Sequence, residues 1–223
     1  MRTIIGAMFL TLDGVIQGPG GLSEDTTGSF DQGGWVFKLW DEGVNAVIGR
    51  LFGGNYDLLL GRRTYDIFAA YWPYVEGDGA AMGAAFTAAN KYVLTRGNQP
   101  LEWAGSHRLT SIADVAALKQ GDGPDLIIQG SGTIYPQLLA AGLIDRLTLM
   151  TFPLTLGQGK RLFGQGTMPG MLKLMEHKVT PKGTVIASYV PGGPLPPYPP
   201  EGPEPSTSAR EAARQRRMQE GTW

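Results

Sequence analysis

Three short segments of the 223-residue chain each lead from an apolar run to groups that can bind phosphate. The most glycine-rich is Asp125–Tyr135, where Leu126–Ile128 is followed by Gly-Ser-Gly and the start of a predicted helix. Glycine lets a backbone approach a ligand closely, and free amides at a helix N-terminus favour an anion. Taken alone the signal is weak, because a dinucleotide fingerprint needs a third glycine where Tyr135 stands.

The other two segments add cations at the ends of predicted strands. In Leu58–Tyr65 a strand ends at Gly61 and two arginines open a helix, and Val93–Gly97 places Thr95 and Arg96 just beyond a strand. The guanidinium group suits bidentate contact with phosphate. Because ligands of open α/β sheets bind outside the carboxyl ends of the strands, we expect these three ends to converge on an anionic cofactor.

The elements that must position these groups alternate between strand-type and helix-type patterns. This order predicts an α/β fold with a mostly parallel central sheet of about eight strands, helices on both faces and a C-terminal antiparallel hairpin. The hairpin strands, Leu172–Thr180 and Thr184–Val190, flank Pro-Lys-Gly. Apolar residues at intervals of three and four predict a helix over Trp35–Phe52 with a break near Gly43.

Composition changes near Val190, and eight of the sixteen prolines lie between Pro191 and Pro205. Proline has no amide donor, so we expect this stretch to pair in no sheet and pack in no core. We therefore predict one domain at residues 1–190, followed at 191–223 by a Pro-rich linker and a polar tail that can form a short helix. The tail is either solvated or an arm that docks on a second subunit.

Composition also argues against several classes of function. A net charge of −1 argues against a nucleic-acid partner, and the absence of cysteine excludes disulfides and thiolate metal sites. The two histidines, His107 and His177, lack metal-ligand spacing, so we expect no metal. No window approaches the length of a membrane span and no signal sequence is evident, which predicts a cytoplasmic protein without a membrane partner.

Four motifs, in this order, resemble the dihydrofolate reductase superfamily, and most closely the branch that it shares with the reductase domain of riboflavin biosynthesis. Ala7–Ile16 is similar to the family's S-L-D-G start, and Leu60–Tyr65 matches its G-R-x-T-Y element. Gly130–Gly132 matches the glycine pair before the nicotinamide-binding helix, and Leu156–Phe163 is similar to G-G-G-x-R-L-F. The resemblance covers residues 1–190.

The resemblance implies NADPH as the cofactor. Residues from Asp13 onward would begin a mobile loop that closes over it, and Thr95 and Arg96 would add to a pocket for the adenosine 2′-phosphate. The glycine turn would hold the pyrophosphate and nicotinamide ribose. The implied cofactor-binding residues are Ala7, Val15, Ile16, Gly61, Arg62, Arg63, Thr64, Thr95, Arg96, Gly130, Ser131, Gly132, Thr133, Ile134 and Tyr135.

The implied reaction is hydride transfer from NADPH to a small heterocyclic substrate, pyrimidine-like or pterin-like, or to an open-chain sugar-amine. Folate enzymes place one acid on the helix before the Gly-Arg strand. The matching helix here offers Asp41, Glu42 and Asn45, and Asp41 is the candidate catalytic residue unless it is an exposed helix acid. Trp35, Trp40 and Trp72 are either core residues or a platform for a planar substrate. Riboflavin-type relatives imply a homodimer.

Two other functions stay open. The chain is either a genuine dihydrofolate reductase or a non-catalytic nucleotide-binding or assembly module, in which the Pro-rich tail would be the working part.

Overall fold

A computed structural model of the chain describes residues 1–164, 166–203 and 206–222, which contain one eight-stranded sheet. They divide into two compact units, Met1–Gly193 and Pro194–Trp223. The strands are β1 (Ile4–Thr11), β2 (Tyr56–Gly61), β3 (Lys91–Leu94), β4 (Ser106–Leu109), β5 (Asp125–Gln129), β6 (Arg146–Phe152), β7 (Met171–Val179) and β8 (Val185–Gly193). The α-helices are α1 (Glu42–Leu51), α2 (Arg62–Tyr71), α3 (Ala80–Ala88), α4 (Ile112–Gln120), α5 (Tyr135–Ala140) and α6 (Ala209–Gln219).

The sheet has the order β4-β3-β2-β5-β1-β6-β8-β7. The first six strands in this order are parallel, whereas β8 pairs antiparallel with both β6 and β7. This confirms the predicted fold, including its C-terminal hairpin. The three turns predicted to bind phosphate follow β2, β3 and β5. Because these strands are parallel neighbours, the turns meet on the side of the sheet where the strands end.

Buried side chains cover both faces of the sheet. On one face, Val115 of α4 and Leu138 of α5 pack in a cluster with β1, β5 and β6. On the other, Val44 of α1 packs with β1 and β6, and Tyr65 and Phe86 of α2 and α3 pack with β2 and β5. The helices thus lie on both faces, as expected.

The helix predicted over Trp35–Phe52 is two helices. A 3-10 helix spans Trp35–Lys38 and α1 begins at Glu42, so the break covers residues 39–41, near Gly43 as predicted. The cause is Asp41, whose extended backbone and side-chain bond to the Val44 amide form an N-cap.

The prediction that Pro191 could not pair in a sheet is wrong. Strand β8 continues to Gly193, and Pro191 pairs with Leu172 of β7. Pairing between β8 and β6 ends at Tyr189, so this end of β8 has a neighbour on one side only. A proline is tolerated there because its missing amide breaks no second ladder.

The second unit, described by itself, contains α6. Ser208 caps this helix by accepting a hydrogen bond from the Glu211 amide at 3.1 Å, and none of the residues of α6 is buried. No helix in the described part of the chain is long and apolar enough to cross a membrane.

A buried ion pair joins the N-terminus to the start of β2. Arg2 and Asp57 are each 3% exposed, and the arginine donates to the Asp57 carboxylate. The other oxygen of Asp57 accepts two hydrogen bonds from Asn90, both at 3.0 Å. The pair thus fixes β2 against the residues that begin β3.

Candidate functional site

Two of the three turns are joined directly by hydrogen bonds. The Gly61 amide at the end of β2 donates to Ser131 Oγ at 2.9 Å, and the Ser131 amide donates to Thr64 Oγ1 at 2.9 Å. The third turn is adjacent, because Gly61 pairs with Leu94 at the end of β3. The structure therefore brings the three predicted strand ends together.

The Gly130–Ser131 backbone is unusual. Both residues have positive φ angles, 74° and 61°, and no peptide bond in the described residues is cis. A non-glycine residue in this region costs on the order of 1–3 kcal/mol and persists only where its surroundings hold it. The two hydrogen bonds to Gly61 and Thr64 provide that restraint.

The glycines of the turns let protein side chains pack closely. A Cβ on Gly132 would lie 2.1 Å from Ile16 Cδ1, and one on Gly130 would lie 3.3 Å from the Thr64 methyl. At Gly61 the nearest atom would be the Ile134 methyl, at 3.2 Å. The predicted residues Ile16, Thr64 and Ile134 are thus brought together around the glycine turn.

Several hydrogen-bond donors near the three turns have no partner in the described residues. The amides of Gly132 and Thr133 donate to no residue in the described ranges. Arg63 and Arg96 are exposed and form no hydrogen bond or ion pair with described residues. Helix α2 has no side-chain cap, so its first-turn amides are also free to bind an anion.

Arg62 and Thr95 have structural contacts instead. Arg62 donates to the carbonyls of Gln99 and Pro100 at 3.0 and 3.2 Å and pairs with Asp66 at 2.9 Å. Thr95 Oγ1 accepts a hydrogen bond from the Gly97 amide at 3.1 Å. Both residues order the loop after β3, and this loop carries Arg96.

Three further predicted residues lie in the core. Tyr135 and Ala7 are each 0% exposed, and the Tyr135 hydroxyl donates to the Ile128 carbonyl at 3.0 Å. A Cβ on Gly6 would lie 2.7 Å from the Tyr135 ring, so that glycine makes room for it. Val15 is also 0% exposed, and it forms an isolated bridge with Arg161.

Sequence reasoning missed the contact between the first and last motifs. The carboxylate of Asp13 accepts hydrogen bonds from the Gly157 and Leu156 amides at 2.8 and 3.2 Å, and Arg161 Nε donates to the Asp13 carbonyl at 2.8 Å. Burial acts to raise the pKa of Asp13, but hydrogen bonds from Thr11 and these amides outweigh it and lower the pKa. The sequence feature that could have predicted this contact is the opposite charge of two motif residues, Asp13 and Arg161.

A second network anchors the long glycine loop. The Gln17 amide group donates to the Asp25 and Thr27 carbonyls at 3.0 and 2.8 Å, and its oxygen accepts from the Lys160 amide at 3.1 Å. Lys160 Nζ pairs with Asp25 at 2.5 Å. Trp35 Nε1 donates to the Gln17 carbonyl at 2.9 Å. The loop is thereby tied to the segment that follows β6.

Asp41 lies at the N-terminus of α1 with both carboxylate oxygens in use. One accepts from the Val44 amide at 3.0 Å and the other from the Lys182 amide at 2.9 Å. Burial acts to raise the pKa of Asp41, but hydrogen bonds from Thr180 and these amides lower it. The side chain is therefore ionised and holds α1 to the hairpin turn. Its predicted catalytic role stays a prediction.

The predicted tryptophans differ in position. Trp35 is fully buried, and Trp72 packs edge-on against Phe86 at 4.8 Å between ring centroids. Trp40 is partly exposed and lies 5.5 Å from Phe37, with 34° between the ring planes, and Phe37 is 61% exposed. This pair leaves an aromatic surface just before α1.

Gln129, the last residue of β5, carries a buried amide oxygen with no hydrogen-bond partner in the described residues. Side chains alternate along a strand, so Gln129 shares a face with Ile127, which packs with α2 and α3. Leaving such an oxygen unpaired costs about 1–3 kcal/mol, which a ligand N–H would recover.

A search of the described residues finds no group of three or more His, Asp or Glu side chains that could hold a metal ion.

Comparisons with known proteins show the family to which the chain belongs. The family model for the RibD C-terminal domain matches residues 2–186. The uncharacterized protein YyaP of Bacillus subtilis (strain 168) is 25% identical over 191 residues, which is 84% of this chain and 94% of that protein.

Three solved structures share the fold, and each aligns with 85% of this chain. A putative riboflavin biosynthesis protein from Shewanella sp. PV-4 has a TM-score of 0.60 at 18% identity, with 99% of its chain covered. A pyrimidine reductase-like protein from Corynebacterium diphtheriae has 0.55 at 14%, with 92% covered. Dihydrofolate reductase from Enterococcus faecalis, complexed with NADP(H) and RAB-propyl, has 0.53 at 15%, with 96% covered. The chain belongs to the RibD C-terminal domain family, with a dihydrofolate-reductase-like fold.

Proposed function

We propose that the chain is an NADPH-dependent reductase that delivers hydride to a small planar heterocycle, pyrimidine-like or pterin-like. The proposal rests on the two hydrogen bonds that join the turns at Gly61 and Ser131. Beside them lie amides and arginine side chains that have no partner in the described residues. The family supports a reductase, and bound NADPH supplies the hydride.

The residues present fit NADPH. The amides of Gly132 and Thr133 and the first turn of α2 would hold the pyrophosphate, since unpaired N–H groups at strand and helix ends bind anions. Arg63 and Arg96 would hold the 2′-phosphate, because both are exposed on adjacent turns. The orphaned oxygen of Gln129 would accept an N–H from the carboxamide or from the substrate.

The substrate would lie on the aromatic surface of Phe37 and Trp40. A planar heterocycle gains stacking energy there of about 0.5–1.5 kcal/mol beyond its buried area. A genuine dihydrofolate reductase needs a carboxylate for the pterin, and the best candidate, Asp41, already accepts two backbone hydrogen bonds. We therefore favour a substrate recognised without an acidic side chain.

The test is titration with NADPH and NADH, followed by tryptophan fluorescence. We expect NADPH to bind more tightly, and Arg63→Gln and Arg96→Gln each to weaken NADPH about tenfold, the worth of one charge-assisted bond, while leaving NADH nearly unchanged. Arg216→Gln in α6 is the matched control. Absence of NADPH binding at about 1 mM, or equal affinity for both cofactors, would contradict the proposal.

We also propose that the protein is a homodimer. Strand β7 is an edge strand, and Leu174, Met175 and Val179 on it are 47%, 57% and 64% exposed. Light scattering tests this, and a monomer at micromolar concentration would contradict it. The assembly-module alternative predicts that removing residues 194–223 abolishes the dimer. This cut leaves β8 intact, whereas removing 191–223 would shorten it.

A further inference from the structure

A cavity of about 380 Å³ opens where the parallel strands begin, at the opposite end of the sheet from the glycine turns. Its wall includes Ile5, Tyr56, Asp125 and Arg146, which stand at or next to the first residues of β1, β2, β5 and β6. The first and last residues of β5, Asp125 and Gln129, are four steps apart, which is about 13 Å at ~3.3 Å per residue. The cavity is therefore separate from the site described above. Its volume lies within the range of about 300–1,000 Å³ for small-molecule sites.

The inner wall of the cavity combines apolar and hydroxyl groups. Val47, Ile127 and Ile186 are buried there. Thr148 and Ser188, 8% and 5% exposed, lie opposite each other on β6 and β8 with their oxygens 3.0 Å apart. Hydroxyls on a buried sheet face weaken packing unless they are hydrogen-bonded, and they can rotate to donate to a ligand.

Tyr56 adds a second polar group to the wall. The residue is 7% exposed, and its hydroxyl is buried without a hydrogen-bond partner in the described residues. An unpaired buried hydroxyl is unusual in a folded protein. A ligand oxygen is the kind of acceptor that would satisfy it.

Basic side chains predominate at the rim. Arg50, Arg146 and Lys178 line the cavity, and none of their side chains forms an ion pair or hydrogen bond with another described residue. The acids at the rim are Asp125 and Glu176, and Glu176 already accepts a hydrogen bond from Ser188 at 3.3 Å. The three cations outnumber the two carboxylates, so the rim carries a net positive charge, which favours an anion.

We infer that this cavity binds a small anionic molecule with an apolar body, such as an aromatic carboxylate. The apolar body would lie on Val47, Ile127 and Ile186, and the anionic group would face Arg146 and Lys178. Nothing in this inference depends on NADPH. A second copy of the chain, covering the cavity through β7, is the competing occupant.

The probe is 2-naphthoate, compared with 2-naphthamide, which has the same ring system and no charge. The full chain is titrated by calorimetry and by amide NMR shifts. We expect naphthoate to bind with Kd below about 1 mM, at least ~5-fold more tightly than the amide. Shifts should appear at Ser188 and Lys178 and not at Gly61 or Gly132, and saturating NADPH should not displace the probe.

Variants decide the role of the cations. Arg146→Gln with Lys178→Gln should weaken naphthoate about tenfold or more and leave the amide unchanged, whereas Arg216→Gln should change neither. Equal affinity for both probes, an unchanged double variant or no binding at about 1 mM overturns the inference. Affinity that falls as protein concentration and dimer content rise also overturns it, because the cavity is then an interface.

Discussion

Replacement of Thr64 by valine tests the junction on which the proposed cofactor site depends. Valine keeps the shape of threonine but removes Oγ1, the acceptor of the Ser131 amide at 2.9 Å. Ser131 is 7% exposed, so water replaces that acceptor poorly. An unsatisfied buried amide costs about 1–3 kcal/mol. We therefore expect the free energy of unfolding to fall by about 2 kcal/mol, and Tm by about 4–8 °C for a domain of this size.

Thr64→Ser is the matched control, because it keeps the hydroxyl and loses only the methyl that packs on Gly130. Urea unfolding gives the stability difference, and titration gives the affinity for NADPH. Since Ser131 keeps its positive φ only while it is restrained, we expect the valine variant to bind NADPH about tenfold more weakly than the serine variant. Equal unfolding free energies and equal affinities in the two variants would refute the reasoning.

The other predictions concern parts of the fold that support the site. Asp57→Asn leaves its buried arginine without a charge partner and should lower the unfolding free energy in urea by about 3–5 kcal/mol; a loss below ~1 kcal/mol would be inconsistent with a buried pair. Hydrogen bonds and Lys160 lower the pKa of Asp25 more than burial raises it. The ionised Asp25 side chain therefore stabilises the fold above its unfolded pKa of about 3.9, and this stabilisation is lost as pH falls through the lower folded pKa. The hydrogen-exchange protection of residues 18–34, measured against the intrinsic exchange rate, should fall in that acid range, and Asp25→Asn should show low protection already at neutral pH. Gly33→Ala should destabilise by ~3 kcal/mol or more, because its Cβ would meet backbone oxygens at 2.4 and 2.6 Å, whereas Gly49→Ala, with open space in α1, should stabilise by about 0.5–1 kcal/mol on thermal melting.

The convergence of the turns could be predicted because strand order and glycine position both follow recognisable sequence patterns. Apolar runs that end in glycine identify Gly61 and Gly130, and parallel strands place such ends at one edge. The sequence could not tell which arginine is left without a partner among the described residues. Successive helix residues point about 100° apart, so Arg62 reaches the loop after β3 while Arg63 stays exposed, and only tertiary packing decides between them.

Contacts between distant loops were also outside the reach of pattern reasoning. Asp13 and Arg161 were each part of a recognised motif, but their contact spans 148 positions and depends on β1 lying beside β6. The exact residue at which α1 begins was also beyond pattern reasoning, for a local reason. Apolar spacing continues through Asp41, whereas the cap that restarts the helix is a single side-chain bond.

The acids of the site carry an implication for proton supply. Asp13 and Asp41 both accept hydrogen bonds from backbone amides, and those bonds lower both pKa values. A carboxyl group with a lowered pKa is ionised near neutral pH and can accept a proton but not donate one. If Asp41 takes part in the reaction, it must therefore act as a base or as a fixed negative charge. A reduction that needs a proton would take it from water. The rate should then show no dependence on a side-chain acid between about pH 5 and 8, and Asp41→Asn should lower stability more than it lowers turnover.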